Sequence, residues 1–151
     1  MKRTLTALTV AATMFASSAS AFDPDALQKL LDMDICTQCD LSGANLSGAW
    51  MRGANLAGAE LTDADLSGAY LSGAYLMDAD LARANLTGAN LARANLATAN
   101  LEGANLARAY LANANLGGAN LEGVDLKYVD MNGAILCNTI MPDGSVIYSG
   151  C

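Results

Sequence analysis

The 151-residue sequence contains no histidine. That absence removes the usual general base, the usual zinc ligand and the Ser–His pair of nucleophilic hydrolases. Basic residues are scarce too. From Phe22 onward the chain carries fifteen acidic residues against six basic ones, a net charge of −9. Such a charge repels nucleic acid and anionic lipid and favours solubility. None of the 14 glycines stands before a Lys-Ser or Lys-Thr pair, so no phosphate loop is present. Beyond residue 21 no apolar run is long enough to cross a bilayer. The sequence therefore offers no catalytic residue, no metal ligand set and no cofactor site, and it is read as non-enzymatic.

The apolar run that does exist lies at the start. Lys2 and Arg3 precede Leu5–Ala16, and Ala19-Ser20-Ala21 has the form of an A-x-A cleavage site. Residues 1–21 are expected to be a secretory signal peptide. An N-terminal helix or membrane anchor is the alternative, but the run is short for a span. No cysteine follows the cut directly, so a lipoprotein anchor is not expected. The remaining 130 residues are one domain's worth of chain, with no membrane insertion after signal removal.

What fills that domain is a period of five. Between Leu41 and Met141 every fifth residue is Leu or Met, 18 and three times respectively. Two residues earlier stands Ala in 17 of the 21 cases, the exceptions being Cys39, Val124, Val129 and Thr139. One residue earlier stands Asn or Asp in 14 cases. A helix repeats near 3.6 and a strand at 2, so five matches neither. Within a unit, however, Ala and Leu are two apart and share one face of an extended segment. The next unit is offset by an odd number, so the chain must turn once per unit to keep Leu inside. A chain that does this is a coil, and coils that pair backbone to backbone make a solenoid. Glycines such as Gly53 suit the turns, and Asn or Asp side chains can bond nearby backbone there.

Repeated units such as Ala84-Asn85-Leu86, Ala94-Asn95-Leu96 and Ala104-Asn105-Leu106 resemble the pentapeptide-repeat family, over about residues 39–143. The resemblance implies an all-β fold, a right-handed quadrilateral β-helix with four units per coil. It would hold about five coils and be ~25 Å long at ~4.8 Å per coil. Residues 22–38 are expected to form an N-terminal helical cap, with Asp23 as N-cap, Pro24 at the first position and Leu27, Leu30 and Leu31 on one face. Residues 144–151 are expected to form a C-terminal cap containing a short strand, Val146-Ile147-Tyr148. The ends, Cys36-x-x-Cys39 and Cys137 to Cys151, resemble those of exported pentapeptide-repeat proteins of bacteria and the thylakoid lumen. The resemblance thus points to a periplasmic, secreted or thylakoid-lumen-like location.

Four cysteines in an exported chain suggest disulfides, with three pairings open. On the coil count that the resemblance implies, the two ends are too far apart for a disulfide. The expected pairs are then Cys36–Cys39 and Cys137–Cys151, and one four-cysteine metal site is excluded. The alternative for Cys36–Cys39 is a redox pair, for which the thioredoxin-like context is missing.

If coils hold twenty residues, residues twenty apart form columns. One side carries Asp40, Glu60 and Asp80, with Glu102, Glu122 and Asp63 near them and Arg83 as relief. The opposite side carries Trp50, Tyr70, Asn90 and Tyr110, with Tyr75 and Met77 round the next corner. The aromatic column is either ladder stacking or a contact patch for another protein, and Trp50, Tyr70, Tyr75 and Tyr110 are the candidate binding residues. The acidic side is either a solvated face or a site for a cation or basic partner. The run Asn85, Asn90, Asn95, Asn100, Asn105 reads as turn bonding rather than a ligand site. The favoured function is an exported scaffold or protein-binding module. Its rivals are an acidic DNA mimic that regulates a topoisomerase, which some family members imply, and a redox protein acting through Cys36–Cys39.

Overall fold

The computed structural model describes residues 23–148 and Cys151. The expected signal peptide, residues 1–21, lies outside the described residues.

The period of five is built as a turn in every unit. Ala49 N–H donates to the Leu46 carbonyl at 3.1 Å and closes one such turn. The second residue after each Leu sits at positive φ, as at Gly48 (64°), the pattern of a type II turn. Glycine takes this position without strain, yet Arg83, Arg93, Thr98 and Arg108 hold it as well, at φ between 57° and 60°. Where Asn or Asp precedes the central Leu or Met, its side chain locks the same turn. Asn45 Oδ1 accepts from Ser47 N–H at 3.1 Å, and Asn90 Oδ1 accepts from Ala92 N–H at 3.1 Å.

Between the turns the backbone is extended and pairs with chain twenty residues away. Leu46 N–H donates to the Asp65 carbonyl at 2.7 Å, and Asp65 N–H donates to Ala44 at 2.9 Å. Parallel bridges recur in four columns, for example Asp40↔Glu60, Asn45↔Asp65, Trp50↔Tyr70 and Asn55↔Tyr75. Each coil is therefore twenty residues, four units, long. The bridges are single residue pairs rather than strands, because a turn every five residues leaves one pairing position per side. The regular strands among the described residues are only β1 (Thr139–Ile140) and β2 (Val146–Ile147), paired antiparallel. Tyr148 falls outside β2 and is exposed.

The centres from Leu41 to Leu121 and the Ala two residues before each of them, from Ala44 to Ala119, line the inside with almost no exposed surface. Each buried Leu contributes roughly 1.5–3 kcal/mol. Among the described residues one polar side chain is buried, Thr139, whose hydroxyl donates to the Leu116 carbonyl at 2.7 Å.

The two ends differ. At the first coil, helix α1 (Pro24–Met33) is capped by Asp23, which accepts from Asp25 N–H at 2.9 Å, and ends at Asp34 in the left-handed region. It buries Ala26, Leu27 and Leu30, while Leu31 is half-buried. Under it Leu41, Leu46 and Met51 are fully covered. At the other end the centres Leu126, Met131, Leu136 and Met141 stay half-buried. One side of that last coil also opens: among the described residues no bridge joins Asn105 to Asp125. Val124 and Val129 bound this side, replacing Ala at its two corners. Tyr128 between them lies at φ 66° and is exposed.

Candidate functional site

Three of the four bridge columns carry side-chain bonds between amides or between amide and carboxylate. Asn85 Nδ2 donates to Asp65 Oδ1 at 3.1 Å, Asn100 Nδ2 to Asp80 Oδ1 at 3.1 Å, and Asn115 Nδ2 to Asn95 Oδ1 at 3.3 Å. The remaining column carries rings. Trp50, Tyr70, Asn90 and Tyr110 follow one another by bridges. The rings of Trp50 and Tyr70 stack, centroids 4.2 Å apart and planes 16° from parallel. All three aromatic residues are open to solvent, Trp50 at 52%, Tyr70 at 40% and Tyr110 at 55%. Asn90 interrupts the column with a short side chain.

Beside these rings lies a trough of about 570 Å³ lined by Trp50, Arg52, Tyr70, Ser72, Gly73, Asn90, Ala92 and Arg93. Trp50 and Tyr70 form its wall. Ser72, Gly73 and Ala92 give a low floor, and a Cβ at Gly73 would meet nothing within 4 Å. Arg52 and Arg93 stand two coils apart along it. Tyr75 is exposed too, but it belongs to the next column, between Asn55 and Asn95, and takes no part in the trough. Sequence reasoning finds the ring column and overlooks both arginines. The signal was present: steps of twenty put Arg52, Ser72 and Ala92 in one column and Gly73 and Arg93 in the next.

On the opposite side Asp40, Glu60 and Asp80 bridge in sequence, and the column continues with Asn100 and Asn120. Arg83 clamps Asp63 through two bonds, Nε to Oδ1 at 2.9 Å and Nη2 to Oδ2 at 2.8 Å. The bonds from Arg83 hold the Asp63 carboxyl below its ordinary value, and the same bonds raise Arg83. Among the described residues no group of three or more His, Cys, Asp or Glu is placed to hold a metal ion. None of the described helices is long and apolar enough to cross a membrane.

The cysteines sit at the two ends. Cys36 is bonded to Cys39, with Cα atoms 5.4 Å apart, and Cys137 to Cys151, with Cα atoms 4.9 Å apart. Cys36 Sγ lies 3.3 Å from the Ala26 carbonyl, so the first bridge is tucked beneath α1.

A family model described as pentapeptide repeats matches residues 39–76, 74–107 and 104–141. No curated protein matches the chain. Among solved structures, the pentapeptide repeat protein Rfr23 from the cyanobacterium Cyanothece 51142 is 34% identical, with a TM-score of 0.60. The match covers 73% of this chain and 92% of Rfr23. The pentapeptide repeat protein alr5209 from Nostoc PCC 7120 is 33% identical, with a TM-score of 0.59, over 69% of this chain and 93% of its own. With its coils of four five-residue units and the match running from residue 39 to residue 141, the chain belongs to the pentapeptide repeat family.

Proposed function

We propose that the protein is an exported, non-catalytic scaffold that binds another protein through the aromatic side of a right-handed, four-sided β-helix. The observation that carries this reading is the exposed Trp50–Tyr70 stack, continued by Tyr110, on one column of a rigid coil. Exposed aromatic rings held in fixed positions contribute contact area at little entropic cost. The interior, packed with Leu and Ala, leaves activity to the outer surface. Disulfides at both ends fit an oxidising compartment such as the periplasm, the exterior or a lumen. Helix α1 and the last coil act as caps in this reading, with the repeat between them as the binding surface.

The test is a photo-crosslinking residue in place of Tyr110, used in native envelope, followed by identification and purification of the crosslinked protein. Binding of that protein is expected to weaken at least tenfold in a Trp50→Ala/Tyr70→Ala variant that keeps its circular dichroism spectrum. Unchanged binding refutes the reading. The acidic DNA-mimic alternative is less well supported, because the acidic column of Asp40, Glu60 and Asp80 gives way to Asn100 and Asn120, leaving Glu102 and Glu122 beside it.

A further inference from the structure

Charge is distributed unevenly about the coil. The chain from Phe22 onward has a net charge of −9 and only six basic side chains. Two of the six, Arg52 and Arg93, line the trough beside the rings. Arg83 is taken up by Asp63, whereas among the described residues Arg52 and Arg93 have no carboxylate partner. No acidic side chain lines the trough. Asn90 commits its Oδ1 to Ala92 N–H, and among the described residues its Nδ2 donates to nothing. The site thus offers two guanidinium groups, one amide donor and the Ser72 hydroxyl around an aromatic wall.

From this we infer that the trough takes an acidic peptide segment lying along the stack, with one carboxylate on Arg52, one on Arg93 and an apolar ring between them. The inference rests on the reading above that this side binds a protein. Guanidinium binds carboxylate through two parallel bonds, which lysine does not reproduce. Two coils separate the arginines by ~10 Å. In an extended peptide, residues two and four apart share a face and are about 7 and 13 Å apart, which brackets that span. The middle residue of such a segment faces the same way, over the low floor at Gly73 and Ala92.

Other ligands fit less well. A sugar ring or a nucleobase stacks on a free aromatic face, and Trp50 and Tyr70 cover each other's faces where they meet. A polyphosphate chain extending beyond two arginines meets the acidic remainder of the rod.

Trp50 is the one tryptophan, so its indole N–H signal in nitrogen–proton correlation spectra reports on the trough. The probe is the peptide Glu-Ser-Phe-Ser-Glu, titrated into the intact oxidised protein. It is expected to shift the indole signal in a saturable way, and the Gln-Ser-Phe-Ser-Gln peptide is expected to leave it in place. Arg52→Gln/Arg93→Gln should weaken the peptide at least tenfold, and Lys127→Gln, at the far end of the rod, should not. No shift with the Glu peptide, equal shifts with the Gln peptide, or full binding by the double-arginine variant overturns the inference. So does a larger shift with a sulfated disaccharide or a thymidine oligonucleotide than with the Glu peptide. Each of those results can stand beside a crosslinked partner lost in Trp50→Ala/Tyr70→Ala, in which case only the acidic chemistry fails and the binding function survives.

Discussion

The ring of Trp50 rests on the ring of Tyr70 at 4.2 Å, close to the ~4.8 Å spacing of paired strands. The stack is therefore set by the backbone repeat. A double-mutant cycle through Trp50→Ala and Tyr70→Ala, read by urea unfolding, should give a coupling of about 0.5–1.5 kcal/mol. Additive losses would mean that the rings are neighbours without interacting.

Burial along the axis predicts a position-dependent cost for the same substitution. Leu86 is fully enclosed in mid-rod, whereas Leu126 on the open side of the last coil is half-buried. Leu86→Ala should cost about 2–5 kcal/mol, and Leu86→Asp should abolish the folded circular dichroism signal. Leu126→Asp should lower the melting temperature and leave a folded protein. Equal damage at both positions would contradict the opening of the last coil.

The same opening should be visible in amide exchange. Leu86 N–H donates to Asn105 and Leu111 N–H to Asp130, but among the described residues Leu106 and Arg108 N–H have no backbone acceptor. Leu106 and Arg108 should exchange markedly faster than Leu86 and Leu111. Protection of all four to the same degree would show that Asp125 and Lys127 pair after all.

Acid sensitivity follows from two carboxylates. Bonds from the Arg83 guanidinium hold Asp63 below the ordinary carboxylate range. The Ser145 hydroxyl and N–H do the same for Asp143. Because both folded values are depressed, their contribution is present above the unfolded carboxylate value of about 3.9 and is lost as pH falls through the folded values. The melting temperature should stay level between about pH 5.5 and 8, where histidine would ordinarily titrate and none exists, and decline below about pH 4. Asp63→Asn/Asp143→Asn should shallow that decline. An undiminished acid slope in the double variant would assign it to other groups.

Much of this architecture was legible in the sequence because one rule repeats. Ala and Leu two apart fix the inward face, and the odd offset forces the turn. The number of sides was not legible, since five-residue units close equally well into other polygons until the bridges between residues such as Asn45 and Asp65 set the coil at twenty. The opening at Asp125 coincides with a visible break in the rule, Val in place of Ala at 124 and 129, but the break alone did not announce a lost pairing. The ring column was readable from residue type. Stacking coils of twenty already places Arg52 and Arg93 beside the rings, but they fall in two neighbouring turn columns rather than in one, so neither column stands out by residue type.

Pairing at twenty residues has a consequence for how such a chain can change length. Removing residues 81–100 would let the following coil dock where the lost one stood, with every wall still facing its original direction. Removing only five would swing everything downstream by one wall, and Tyr110 would no longer stand below Tyr70. Sequence length acts here as an angular coordinate: whole coils are interchangeable segments, and shorter insertions or deletions act as rotations that reassign which surface each later residue presents.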